Sequence, residues 1–167
     1  MEKIKIGALP WVVPASIPFF ESLINDSMAV IETGSGGSTV WLAERAGMVY
    51  SFEHTKRYYD AVSAELKRRG IPLGDAAGVV DLWYMPTYPK VGVPHIGVPL
   101  DLAFIDGRGR VKSIRSILPQ IKSGGWIVLD NAERDKYQPG RKLLDKAAST
   151  VAIFKKGKWT TAFYKKR

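Results

Sequence analysis

Short apolar runs alternate along this chain with segments in which apolar residues recur every three or four positions. The apolar runs predict strands at 28–33, 49–52, 79–83, 100–105 and 126–129. The helical spacing predicts helices at 17–24, 39–45, 56–69, 111–121 and 141–148, and Pro119 is expected to shorten or kink the fourth of them. Strands that alternate with helices are typical of an α/β fold, with a mostly parallel central sheet and helices on both faces.

Two segments depart from this alternation. Residues 86–99 are rich in proline and glycine, which predicts an irregular connection, either a lid or a plain crossover, in place of a helix. Near the end, apolar stretches at 151–154 and 159–164 flank a Lys-Gly-Lys turn and predict an antiparallel strand pair. We expect one domain at 28–167, preceded by a lead at 1–27 that contains a short helix.

The sharpest local signal is a glycine-rich turn between the first predicted strand and the next helix, with the sequence Glu-Thr-Gly-Ser-Gly-Gly-Ser-Thr from Glu32 to Thr39. Glycine permits positive φ and lets a ligand approach the backbone closely. A dinucleotide fingerprint would need a third glycine where Thr39 stands, and a P-loop would need Gly-Lys-Ser/Thr. The turn therefore disfavours both a nicotinamide enzyme and a P-loop protein.

This turn resembles motif I of class I S-adenosylmethionine-dependent methyltransferases, Asp/Glu-x-Gly-x-Gly-x-Gly. It matches at Glu32, Gly34 and Gly36, and Ser38 stands in place of the last glycine. The resemblance implies a Rossmann-like methyltransferase fold that binds S-adenosylmethionine. The turn, with Ser35 in it, would pass under the methionine part of the cofactor, and Glu32 would hold its amino group directly or through water.

A second acid supports this interpretation. Glu53 ends the second predicted strand, 21 residues after Glu32. An acid at that point accepts hydrogen bonds from ribose hydroxyls in dinucleotide-binding folds, and the resemblance implies the same for S-adenosylmethionine. His54 either flanks the adenine or lies at the surface.

Two further acids end the fourth and fifth predicted strands. Asp106 stands in Ile-Asp-Gly, and Asp130 precedes Asn131 in Gly-Gly-Trp-Ile-Val-Leu-Asp-Asn; both sequences resemble the same family. Ligands of open parallel sheets bind beyond the carboxyl ends of the strands. We expect Asp106 to contact the cofactor and Asp106 or Asp130 to take the proton of the methyl acceptor. The alternatives are a structural role for Asp106 and a capping role for Asp130 and Asn131.

The same oxygens resemble the magnesium ligands of catechol-type O-methyltransferases, and hard cations prefer such ligands. Those enzymes carry a lysine three residues after the first Asp, where this chain has Gly109. A divalent metal is therefore admitted but not favoured, and no metal ligand is assigned. His95, in the 86–99 segment, is an alternative general base.

The composition adds a strong positive charge of +9, to which acid-free stretches at 107–126 and 155–167 contribute. Such stretches indicate either a nucleic-acid partner or a solvated surface. The alternative to an enzyme is therefore a basic nucleic-acid or partner-binding module on a non-catalytic methyltransferase-like scaffold, which would bind polyanions in a salt-sensitive way.

The chain has no cysteine, and Glu2 together with prolines at 10, 14 and 18 argues against a secretory signal. It also lacks an apolar run long enough to span a membrane. We expect a cytoplasmic protein without membrane contact. The methyl acceptor, an O- or N-nucleophile on a small molecule or a macromolecule, and the oligomeric state do not follow from the sequence.

Overall fold

The computed structural model describes residues 4–74 and 79–167, so Glu2 lies outside the described residues. Within these described residues, seven strands form one sheet. The strands are β1 (Ala29–Thr33), β2 (Met48–Glu53), β3 (Val80–Tyr84), β4 (Leu100–Ile105), β5 (Ile121–Asp130), β6 (Ala148–Lys156) and β7 (Trp159–Lys166). The helices are α1 (Ile17–Ser22), α2 (Gly37–Ala43), α3 (Lys56–Arg68), α4 (Tyr88–Val91), α5 (Arg110–Ile117) and α6 (Gln138–Ala147).

The strand order is β3-β2-β1-β4-β5-β7-β6, and the first five strands are parallel. Strand β7 runs antiparallel to both β5 and β6. The predicted α/β sheet with an antiparallel C-terminal pair is therefore confirmed. The order reverses between β1 and β4, which opens a crevice beyond their carboxyl ends.

The core lies on both faces of the sheet because neighbouring strand residues point to opposite sides. Val30 belongs to the cluster that packs with Phe20 of α1 and Trp41 of α2. Ile31 belongs to the cluster that packs with Ile114 of α5 and Leu144 of α6. Helices thus cover both faces, as the alternation predicts, and α1 of the lead is part of the core.

Several boundaries differ from the prediction, three of them at proline or glycine residues. The 86–99 segment contains the short helix α4, which tolerates Pro89 because the first turn of a helix needs no amide donor there. Helix α5 ends at Ile117, and a 3-10 turn at 118–120 takes up Pro119, which has no amide hydrogen for the α-helical ladder. Strand β5 begins at Ile121, so the Gly124–Gly125 pair lies within it.

Among the described residues, no helix has the length and apolar character that a membrane span requires.

Candidate functional site

Three glycines, two in the turn between β1 and α2 and one that begins α2, differ in what surrounds them. A Cβ atom at Gly34, whose φ is +89°, would lie 2.7 Å from the backbone of Gly107, so glycine lets the loops after β1 and β4 touch. A Cβ atom at Gly37 would lie 2.6 Å from the carbonyl oxygen of Leu9, so the lead crosses directly over this residue. The same position at Gly36 is surrounded by open space. The turn is therefore closely packed on two sides and open at Gly36.

Glu32 lies beneath this turn with its carboxylate fully buried. The hydroxyls of Thr39 and Ser51 each donate to Oε2 at 2.6 Å, and the hydroxyl of Ser38 donates to Oε1. The amide of Gly36 donates in turn to Thr39 Oγ1 at 2.9 Å. Glu32 thus holds the turn from below and does not line the cavity above it. Ser38, which donates to Glu32, does line that cavity, so the predicted hold on the methionine amino group would be indirect.

Burial raises the pKa of Glu32 from 4.5 to about 7, although the three hydroxyls oppose the shift. Between these two pH values the folded protein holds a proton that the unfolded chain releases, so the free energy of unfolding falls as the pH rises. We expect Glu32→Gln to reduce this slope, since Glu32 contributes about 1.4 kcal/mol for each unit by which its pKa is raised. Urea denaturation from about pH 5 to about pH 8 measures it. The exposed control Glu44→Gln should keep the wild-type slope; an unchanged slope in Glu32→Gln would contradict the assignment.

Glu53 ties the end of β2 to the same turn. Its Oε2 accepts the amide of Ser35 at 3.0 Å, and its Oε1 accepts the amide of Thr55 at 2.6 Å. His54 Nδ1 lies 3.0 Å from Oε1. Because an ionised carboxylate has about four acceptor positions, Glu53 keeps capacity for the hydroxyls of a ligand.

A cavity of about 490 Å³ opens above the turn, a size suited to a small ligand. Every predicted cofactor-binding residue except Glu32 lines it: Gly34, Ser35, Gly36, Ser38, Glu53, His54 and Asp106. Lead residues from Ile4 to Trp11 form a further wall that was not predicted from the sequence. The glycine at position 37 could have indicated it, because a side chain there would collide with the lead. The buried hydroxyl of Tyr88 lies beside Gly107 and has no hydrogen-bond partner among the described residues.

Arg110 joins the ends of β4 and β5, and the sequence analysis missed it as well. Its buried guanidinium donates to the Asp130 carbonyl at 2.6 Å, to Asn131 Oδ1 at 3.0 Å and to Asp106 Oδ1 at 2.5 Å. The guanidinium thus stands among the oxygens that a divalent metal would need. Within residues 4–74 and 79–167, no cluster of three or more His, Asp or Glu side chains could hold a metal ion.

A second cavity, of about 440 Å³, shares Asp106 and Trp11 with the first. Trp159 is another of its walls, and its Nε1 donates to Asp130 Oδ1 at 2.9 Å. The hydroxyl of Thr161 donates to the same oxygen at 2.7 Å, so Asp130 fixes the position of Trp159. Trp11, in contrast, is 80% exposed. Asp106 and Asp130 thus meet at one cavity, as expected from their strand ends.

His95 is not brought to this site. It is exposed, its Nδ1 accepts the amide of Gly97 at 3.0 Å, and it lines neither cavity. The structure therefore gives no support to the alternative base in the 86–99 segment.

No family model and no curated protein matches this sequence. Among solved structures, an rRNA methylase from Streptococcus thermophilus is similar with a TM-score of 0.73 and 16% identity, over 95% of this chain and 99% of that one. An O-methyltransferase from Thermotoga maritima gives 0.73 and 14%, over 95% and 67%. A Streptococcus mutans protein in complex with SAH gives 0.68 and 17%, over 94% and 99%. This chain therefore has the Rossmann-like fold of the class I S-adenosylmethionine-dependent methyltransferases.

Proposed function

We propose that this protein transfers a methyl group from S-adenosylmethionine to an O- or N-nucleophile. The observation that carries the proposal is that Asp106 lines both the cavity above the glycine turn and the cavity with Trp11 and Trp159. A donor in the first and an acceptor in the second would meet at one carboxylate. The similar folds support the donor, since they include methyltransferases and a complex with SAH.

On the donor side, the turn would pass under the methionine part of the cofactor, and His54 would flank the adenine. Glu53 would accept hydrogen bonds from the ribose hydroxyls while its bonds to Ser35 and Thr55 hold it in place. When bound, the cofactor supplies a methyl group on a positively charged sulfur. The carboxylate of Asp106 would favour that charge.

On the acceptor side, Asp106 is the proposed general base. Burial raises the pKa of Asp106 to about 6, and Arg110 opposes the shift. A base of this pKa is ionised at neutral pH and still accepts a proton readily. As the bond from the nucleophile to the methyl carbon forms and the carbon–sulfur bond breaks, the acceptor proton would pass to Asp106. Asp130 is the second candidate, and its contacts fit the positioning of Trp159 better than proton transfer.

Calorimetry with S-adenosylmethionine, S-adenosylhomocysteine and NAD tests the proposal. We expect binding of the first two and none of NAD, because the third dinucleotide glycine is replaced by Thr39. Methyl transfer to fractions of a cell extract, followed with a labelled methyl group, should then depend on Asp106 and be lost in Asp106→Asn. Silence from all three compounds would favour the non-catalytic binding module. The cytoplasmic location stays a prediction.

A further inference from the structure

A third cavity, of about 720 Å³, opens beside Asp106 between the start of α5 and the segment after β5. We call it the basic cleft. Its charged walls are Asp106, Arg108, Arg110, Lys112, Arg134 and Lys136. Five cations thus share the cleft with one carboxylate, and that carboxylate is already paired with Arg110.

Most of this positive charge is not neutralised by the protein. Arg134 lies 3.8 Å from Glu133, and both are partly exposed to solvent. Among the described residues, no carboxylate lies within ion-pair distance of Arg108, Lys112 or Lys136. Cations held together in a cleft without partners repel each other and concentrate anions there. The cleft is therefore suited to a ligand with several negative charges.

The basic cleft is continuous with the two cavities of the proposed reaction. All three cavities share Asp106. Arg134 also lines the second cavity, the one with Trp11 and Trp159, and Arg108 also lines the cavity above the turn. A ligand with its anionic part in the cleft would therefore place its neighbouring group beside Trp11 and Asp106. Trp11, 80% exposed, presents an aromatic face there.

We propose that the methyl acceptor is a nucleotide within a single-stranded nucleic acid, which deepens the proposed function and rests on it. Phosphates of the strand would lie in the basic cleft, and a base would stack on Trp11 or Trp159 beside Asp106. The cleft has more cations than one phosphate requires, which favours a strand over a free nucleotide. A base in a duplex is stacked and paired, whereas a single strand can turn its bases toward aromatic side chains.

The test measures binding of a fluorescent oligouridylate by anisotropy over a range of salt concentrations, with and without S-adenosylhomocysteine. The variant Lys112→Gln/Lys136→Gln should bind more weakly. Its negative slope of log K against log salt should be less steep by about 1.4, since each phosphate contact on a single strand contributes about 0.7. The control Lys142→Gln/Lys146→Gln, on exposed positions of α6 outside the cleft, removes the same charge and should keep the wild-type slope. Trp11→Ala should weaken binding about tenfold through lost stacking.

Equal slopes for the two double variants would overturn the proposal, and so would binding of uridine monophosphate as tight as that of the oligonucleotide. Binding of S-adenosylhomocysteine without any binding of the strand would overturn this inference and leave the proposed methyl transfer standing. Binding of the strand without S-adenosylhomocysteine binding would instead overturn the proposed function.

Discussion

Replacing Glu53 by alanine is expected to lower the affinity for S-adenosylmethionine by about 100-fold, because two hydrogen bonds from ribose hydroxyls to a carboxylate are lost. The variant also leaves the amides of Ser35 and Thr55 without their acceptor, so the turn loses its tie to β2. Calorimetry with S-adenosylmethionine measures the loss. Glu44→Ala is the matched control, since Glu44 forms surface ion pairs with Arg45 and Arg69.

A second variant separates the two roles of Glu53. Glu53→Gln keeps one acceptor oxygen for the turn but loses the charge, and we expect an affinity between those of wild type and Glu53→Ala. A Glu53→Ala protein that is folded by circular dichroism and binds with wild-type affinity would show that this carboxylate does not hold the cofactor.

Replacing Arg110 by alanine is expected to lower the free energy of unfolding by about 3 kcal/mol, because the partly buried carboxylate of Asp106 loses its counter-charge and the buried Asp130 carbonyl loses a donor. The carbonyl of Asp130 and the side chains of Asp106 and Asn131 lose a donor together. Urea denaturation at neutral pH measures the change. Arg115→Ala, at an exposed position of the same helix α5, should cost no more than about 0.5 kcal/mol.

The same variant has a second expected effect, on pH dependence. Arg110 lowers the pKa of Asp106 and so opposes the effect of burial, which means that its removal raises this pKa above about 6. The acid limb of methyl transfer should then move to higher pH. Arg110→Lys keeps a positive charge but not the planar fork, so it should restore part of the pH profile and little of the stability. Wild-type stability in Arg110→Ala would show that this guanidinium does not hold the ends of β4 and β5 together.

The acids at the strand ends show which parts of the candidate site could be predicted from the sequence. Glu53, Asp106 and Asp130 were each predicted from an apolar run that stops at an acid. The structure brings all three to cavities beyond the carboxyl ends of the parallel strands. The role of Glu32 was instead implied by the resemblance, as a hold on the methionine amino group directly or through water, and the structure shows its carboxylate buried under the turn. Its burial depends on hydroxyls from α2 and β2, which the order of residues in β1 does not reveal.

The sequence by itself determined the alternation of strands and helices, the glycine turn and the acids at strand ends. These features are local: apolar periodicity records which face of each element is buried, and a turn needs glycine where its own backbone requires it. Only the tertiary structure decided that the lead packs over Gly37, that Arg110 joins the ends of β4 and β5, and that three cavities meet at Asp106. Those contacts join segments far apart in the chain, and their geometry follows from how the sheet and helices pack.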